Sequence, residues 1–300
     1  MELYFTEQQT DFLRFGIRIN ETLYQARSDY QELIVVDTEP FGRLLALDGF
    51  VQLTERDEFI YHEMIAHVPM IQHPNPRRVL VIGGGDGGTV REVLRHPEVE
   101  RVVLAEIDGQ VIDVCRRFFP STSRSLDDPR VEVCVCDGIE YVRNAEAGSF
   151  DVVLVDSSEP VGPGIQLFES PFYASVHRAL SERGIMVAQT ESPFYNADLI
   201  VQARRGIAAS FAETKTYLAA VPTYPSGLWS FTMGIKQIVT ETDEERAKHQ
   251  QRMKALAGQV RYWTPEIQEA AFQLPRFLRE GHSPDGRIPV GSTVEGEGHV

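Results

Sequence analysis

Five apolar runs in this 300-residue sequence each end in residues able to do chemistry. RVLVIG runs into GGDGG, RVVLA into Glu106, VEVCVC into Asp137, VVLV into Asp156 and GIMVA into Gln189. Carboxylates and amides delivered to one rim can hold a cation, accept hydrogen bonds from hydroxyls or take up a proton. One acid after a strand is an ordinary loop start; five polar endings in succession ask for more than loop chemistry. The stretch FDVVLVDSSEPVGPG, residues 150–164, is the most pointed, placing Asp156 and Glu159 three positions apart before a Pro/Gly-rich turn. Ser157 and Ser158 between them read as turn formers.

The segment Gly83-Gly84-Gly85-Asp86-Gly87-Gly88 lets backbone approach a ligand closely and opens the next helix. Glu106, about 20 residues on, is placed to hydrogen-bond a ribose diol, and Asp137-Gly138 to reach an adenine amine. An adenosine-bearing ligand follows. Asp86 would repel the pyrophosphate of a dinucleotide, so a phosphate-free sulfonium nucleoside of the S-adenosylmethionine type fits better. Near the methionine-derived chain Asp86 welcomes an ammonium and opposes a carboxylate. That favours the decarboxylated form, as a co-substrate rather than a tightly bound cofactor.

These residues need a scaffold. Over residues 1–56 apolar positions alternate through Phe15, Ile17 and Ile19, then Leu33 and Val35, then Leu44 to the Leu47-Asp48-Gly49 turn, the pattern of a small antiparallel sheet. Residues 57–72 change to helical spacing through Phe59, Ile60, Met64, Ile65 and Val68. Beyond Pro76, near-continuous apolar strands alternate with helical segments, among them an amphipathic TVREVLRH, GQVIDVCRRFF and residues 197–211. That predicts a Rossmann-like, doubly wound α/β fold with a mostly parallel sheet. ETKTYLAAV and LWSFTMGIK, flanking PTYPSG, read as an antiparallel hairpin closing it. The expected division is an N-terminal β domain (1–56), a catalytic domain (57–280) and a loose polar tail (281–300).

A formal charge of −15 argues against a nucleic-acid partner. The opening MELYFTEQQT lacks the basic and apolar regions of a signal peptide, and no run approaches a membrane span. Three cysteines without a CxxC spacing suit a reducing cytoplasm. His62 and His67 resemble a zinc helix, but their i, i+5 spacing puts them on different faces, so no metal is expected.

Seven blocks in order, LDGFVQLTERDEFIYHEM, VLVIGGGDGGTVREVLRH, EID, CDG, DSSEPVGP, VPTYPSGLW and RYWTPEIQEAAFQLP, resemble the polyamine aminopropyltransferases from residue 1 to about 280. The resemblance implies transfer of the aminopropyl group of decarboxylated S-adenosylmethionine to a diamine, putrescine above all. It places Gln31, Gly83, Gly85, Asp86, Glu106, Asp137 and Gly138 at the nucleoside. Gln52, Tyr61, Gln189 and Tyr224 line the diamine channel, with Asp86 and Asp156 at its reacting end. Asp156 is then the catalytic base, and Glu159, where the family commonly has Asp, grips an ammonium. His62 stands where the family usually has Gln: it is either a diamine contact or a helix residue pinned by its ring hydrogen bonds. A homodimer or homotetramer built partly through the N-terminal sheet is also implied.

The need for a base can be stated physically. An alkylammonium with a pKa near 10.4 must lose a proton before it attacks, at a cost of roughly 4–5 kcal/mol at neutral pH. A positioned carboxylate can accept that proton, and the thioether leaves neutral, so no general acid is needed. The rivals are a small-molecule methyltransferase, which would prefer the intact methionyl nucleoside, and a binding paralogue, which would be expected to lose Asp156.

Overall fold

The computed structural model describes residues 2–158 and 162–279. Glu159 and the tail 281–300 lie outside the described residues. Strands β1 (Leu3–Thr10), β2 (Leu13–Arg27), β3 (Glu32–Thr38), β4 (Gly42–Leu47) and β5 (Phe50–Thr54) form an antiparallel sheet in sequential order. Alternation along β3 and β4 sends Leu33, Val35, Leu45 and Leu47 to one face and Val36, Leu44 and Ala46 to the other.

Helix α1 (Glu58–Gln72) follows, then β6 (Arg78–Gly83), α2 (Gly88–Val93), β7 (Arg101–Glu106), α3 (Gly109–Phe118), α4 (Pro120–Ser123), β8 (Val131–Val135), α5 (Gly138–Asn144) and β9 (Phe150–Asp156). The chain continues through α6 (Ser170–Ala179), β10 (Leu180–Gln189), α7 (Ala197–Ala208), β11 (Glu213–Ala219), β12 (Trp229–Ile235), α8 (Asp243–Ala257), α9 (Pro265–Ala271) and α10 (Arg276–Arg279). The second sheet has the order β11-β12-β10-β9-β6-β7-β8. β6 to β10 pair in parallel, and β12 runs antiparallel between β10 and β11, so the expected hairpin closes the sheet.

The central strands β6, β7 and β9 are continuously apolar because both faces are covered, whereas edge strand β8 leaves Val135 exposed. On β6, Val79 and Val81 face a layer built with α1, whereas Leu80 and Ile82 face one built with α5 and α6. A third cluster joins Leu33, Leu45 and Leu53 of the N-terminal sheet to Val111, Val114, Cys115 and Phe118 of α3. That docking sets one sheet over the carboxyl rim of the other.

Two helices depart from a simple amphipathic pattern. In α1 every residue from Ile60 to Ile71 is buried, including His62, Glu63 and His67. Its polar groups find partners instead of water. Glu63 accepts the backbone N–H groups of Arg261, Tyr262 and Trp263 at 2.7–2.8 Å, anchoring the C-terminal segment. TVREVLRH is no amphipathic surface helix: α2 is short, and Glu92 and His96 are buried because His67, Arg91 and Arg95 surround them.

Candidate active site

Strand order reverses between β6 and β9, where β7 and β8 run off to one side and β10 to the other. Ligands of open α/β sheets bind at such a point, at the carboxyl ends of the strands. Gly83 and Asp156 sit opposite each other there. A cavity of about 390 Å³ opens over them, roofed by β1, β4 and β5 of the N-terminal sheet. Gln31, Gln52, Tyr61, His62, Gly83, Gly85 and Asp86 line it, as do Glu106, Asp137, Gly138, Asp156, Gln189 and Tyr224. All the expected site residues therefore meet in one place except Glu159, which lies outside the described residues.

Asp156 is 9% exposed. Tyr61 donates to its Oδ1 at 2.7 Å and Thr89 to its Oδ2 at 2.6 Å. Burial and then the neighbouring Asp86 carboxylate push its pKa up, against His62 and the two hydroxyls, which hold it down. Such a carboxyl is more basic than one in water.

His62 is the pinned residue and is also at the site. Its Nδ1 lies 2.6 Å from Glu58 Oε2 and its Nε2 3.3 Å from Asp86 Oδ1. Burial would lower its pKa, but Asp86 and Glu58 raise it to about 10, so the ring is an imidazolium. Glu58, which burial alone would raise, is held at about 2 by His62 and Arg91. One side-chain atom from each of His62, Asp86 and Asp156 lies within 4.8 Å of the other two, and His62 supplies the positive charge of that set. His67 turns to a separate network, with Nδ1 3.0 Å from His96 and Nε2 3.1 Å from Glu92.

At the β7 end of the cavity, Glu106 Oε2 accepts from Gly85 N at 3.1 Å and Oε1 from Asp108 N at 2.9 Å. Burial still drives its pKa up to about 7. Gln31 donates to Asp108 Oδ2 at 3.0 Å, and Ser28 to the same oxygen at 2.7 Å, latching the β2–β3 turn to the β7–α3 loop. Asp137 caps α5 by accepting from Ile139 N at 2.7 Å.

The wall at α1, the end of β10 and the turn before β12 is aromatic and amidic. Tyr61 packs 5.8 Å from Tyr224 and 5.3 Å from Phe231, and the Tyr224 hydroxyl donates to the Gln52 carbonyl. The Tyr224 side chain thus lines the cavity. The Gln189 amide donates to the Ser157 carbonyl at 3.0 Å and to Glu191 Oε1 at 3.2 Å, fastening the ends of β9 and β10 together.

Three cavity or near-cavity residues escaped the sequence reading. Glu7 sits inward on β1, accepting from Val51 N at 2.8 Å, and burial raises its pKa to about 6. Its signal was an acid among the pocket-facing positions of an exposed strand. Glu191 is 3% exposed with φ +67°, a left-handed backbone that a buried acid adopts only when its surroundings dictate it. The third is Thr89, which looked like an ordinary helix start.

In the glycine loop the missing side chains also leave room for the protein's own groups. A Cβ on Gly83 would lie 2.2 Å from the Asp156 carbonyl oxygen, and one on Gly84 2.6 Å from Asp156 Oδ2. At Gly85 it would lie 2.9 Å from Glu106 Oε2, and at Gly88 2.2 Å from the His62 ring. The loop is the mould in which the acids and the imidazolium are set.

Sheet order and rim chemistry define a doubly wound α/β protein with an acid-lined small-molecule site at its switch point. Residues 58–245 match the spermine/spermidine synthase domain, and residues 3–55 the spermidine synthase tetramerisation domain. The polyamine aminopropyltransferase of a Thermoanaerobacter species is 50% identical over 280 residues, covering 93% of this chain and 98% of that protein. The Bacillus mycoides polyamine aminopropyltransferase is 49% identical over 279 residues, with 93% and 98% covered. The crystal structure of a spermidine synthase in complex with the transition state analogue AdoDATO superposes with a TM-score of 0.87 at 40% identity, covering 93% and 94% of the two chains. The spermidine synthase of Thermotoga maritima gives 0.85 at 39% identity, with 93% of each chain covered. The chain belongs to the spermine/spermidine synthase family, and it is an aminopropyltransferase.

Proposed function

We propose that the protein transfers the aminopropyl group of decarboxylated S-adenosylmethionine to putrescine in the cytoplasm, giving spermidine and methylthioadenosine. The observation that carries this reading is one cavity holding both a nucleoside-type carboxylate, Glu106, and a hydroxyl-held buried base, Asp156. Glu106 takes the ribose diol, Asp137 the adenine amine, and Asp86 the aminopropyl ammonium. Tyr61, Tyr224, Gln52 and Gln189 wall the diamine, and Glu159 grips its ammonium. Glu7 and Glu191, in the same cavity, offer counter-charge to the second ammonium.

In the reaction the acceptor amine gives a proton to Asp156, and its lone pair attacks the methylene carbon bonded to sulfur. The C–S bond breaks, its electrons remaining on sulfur as a neutral thioether. Holding two cations in line lets the acidic walls lower the barrier by orientation and charge stabilisation.

Residues 57–280 form the catalytic domain on this reading, and the N-terminal sheet (1–56) joins copies into a dimer or tetramer. Leu3, Tyr4, Phe12 and Phe15 of β1, β2 and their turn are exposed large apolar groups suited to that contact. The cytoplasmic assignment is supported by Cys115, Cys134 and Cys136, which are all free thiols.

The test is incubation with decarboxylated S-adenosylmethionine and a panel of putrescine, cadaverine, 1,3-diaminopropane, agmatine and triamines, with products read by mass. Spermidine should dominate; a different favoured amine would overturn the acceptor, and no aminopropylated product would overturn the reading. Asp86→Asn should narrow the preference for the decarboxylated nucleoside over the intact one. Removing one side of a desolvated charge contact costs about 2 kcal/mol or more, roughly thirtyfold in the ratio of Kd values measured by calorimetry. An unchanged ratio would take Asp86 away from the ammonium.

A further inference from the structure

We infer that Thr89 is a positioning residue for the general base, its hydroxyl and the Gly84 backbone forming the seat that fixes the Asp156 carboxylate toward the acceptor amine. The inference rests on Asp156 being the base, as proposed above. Thr89 is fully buried at the start of α2, the helix opened by the glycine loop. A threonine in a first turn ordinarily turns its hydroxyl to nearby backbone; here the hydroxyl reaches from the helix after β6 to Asp156 Oδ2 at the end of β9, at 2.6 Å. Its β-branch restricts χ1, so the donor is held in place as well as present.

On the other oxygen stands Tyr61 at 2.7 Å. Beneath Oδ2 lies Gly84, whose missing Cβ leaves the room that the carboxylate fills. With one donor on each oxygen and backbone beneath, the carboxylate cannot rotate. The lone pairs left over are available to an amine in the cavity, which Asp156 lines. Thr89 does not touch the cavity itself and acts only through Asp156.

The titratable groups around Asp156 are Tyr61 and His62 of α1, Asp86 of the loop after β6 and Glu106 at the end of β7. None of them is altered by a change at position 89. A hydroxyl donor favours the charged carboxylate, so Thr89→Val, nearly isosteric, removes the donor and leaves the packing.

The experiment is the pH profile of kcat for the full-length protein, wild type against Thr89→Val, Thr89→Ala and Thr89→Ser, with melting temperature recorded for each. The acid limb should move up by about one unit in Thr89→Val, the worth of a hydrogen bond to a charged group. At a pH below that limb kcat should fall about tenfold, while KM for the nucleoside stays. Thr89→Ser should return the limb to its wild-type position. Should Thr89→Val fail to fold, Thr89→Ala carries the same expectation. An acid limb unmoved in the folded Val or Ala variant, or a loss of kcat that Ser does not restore, overturns the inference. Failure of the underlying reading looks different: Asp156→Asn would then keep its turnover, whatever the Thr89 variants do.

Discussion

Asp156→Asn should bind the nucleoside about as tightly as wild type and turn over about 10²–10⁴-fold more slowly, the usual share of a positioned proton acceptor. The expectation follows from the surroundings of the carboxylate. Both oxygens receive hydroxyl donors, from Tyr61 and Thr89. An asparagine keeps one acceptor and presents an NH₂ to the other hydroxyl, so it can neither take the proton nor keep the full hydrogen-bond set. The nucleoside contacts proposed for Glu106, Asp137 and Gln31 are untouched. Calorimetry of nucleoside binding beside single-turnover product formation separates the two effects. Wild-type turnover in the variant would remove Asp156 from its role.

Glu106→Gln should trade function for stability in a way that only a pH series reveals. The folded-state pKa of Glu106 is raised from 4.5 to about 7. Below the lower value both folded and unfolded chains carry the proton, and the group is neutral in its effect. As pH rises between the two values the unfolded chain releases the proton while the folded chain keeps it, so stability falls. Above the folded pKa the full cost applies, about 3 kcal/mol at 1.36 per unit. Glutamine does not titrate. Between about pH 5 and pH 8 wild type should therefore lose about 2–3 kcal/mol relative to Glu106→Gln, read by urea unfolding of the ligand-free protein. Any constant penalty from the amide cancels in that difference. Nucleoside affinity at pH 8 should fall at least tenfold in the variant, since hydrogen bonds to a charged acceptor are worth about 1.5–3 kcal/mol. Parallel stability curves for the two proteins would show that Glu106 does not resist ionisation.

The sequence was most informative where one residue's chemistry follows from its place at a strand end. Glu106, Asp137, Asp156 and Gln189 could be put on one rim because apolar runs of parallel-sheet type leave their last residue there. Alternation likewise disclosed a small antiparallel sheet over residues 1–56, and the turn chemistry of PTYPSG the closing hairpin. Pairings between distant elements were not legible. Glu92 and His96 look like solvent-facing positions of a helix until His67, about two helical turns into α1, is seen to meet both. Glu7 reaches the pocket only because its sheet folds over the rim of another. Thr89 was hidden for a related reason: a threonine after glycines has a local role at a helix start, and nothing in one sequence says that it bonds a residue 67 positions away.

Gly88 and His62 compete for one volume, since a Cβ at position 88 would stand 2.2 Å from the imidazole. The two positions therefore cannot vary independently, and in this fold their substitutions are epistatic. A methyl group at 88 is tolerable only in a chain whose residue 62 has already become smaller, and an alanine at 62 leaves a hole that a residue at 88 can refill. Attempts to retune the cavity by changing one residue at a time meet this constraint at the pair. Libraries that randomise 62 and 88 together open routes closed to single steps, and descendants of this chain that lose the histidine are where residue 88 first becomes free to drift.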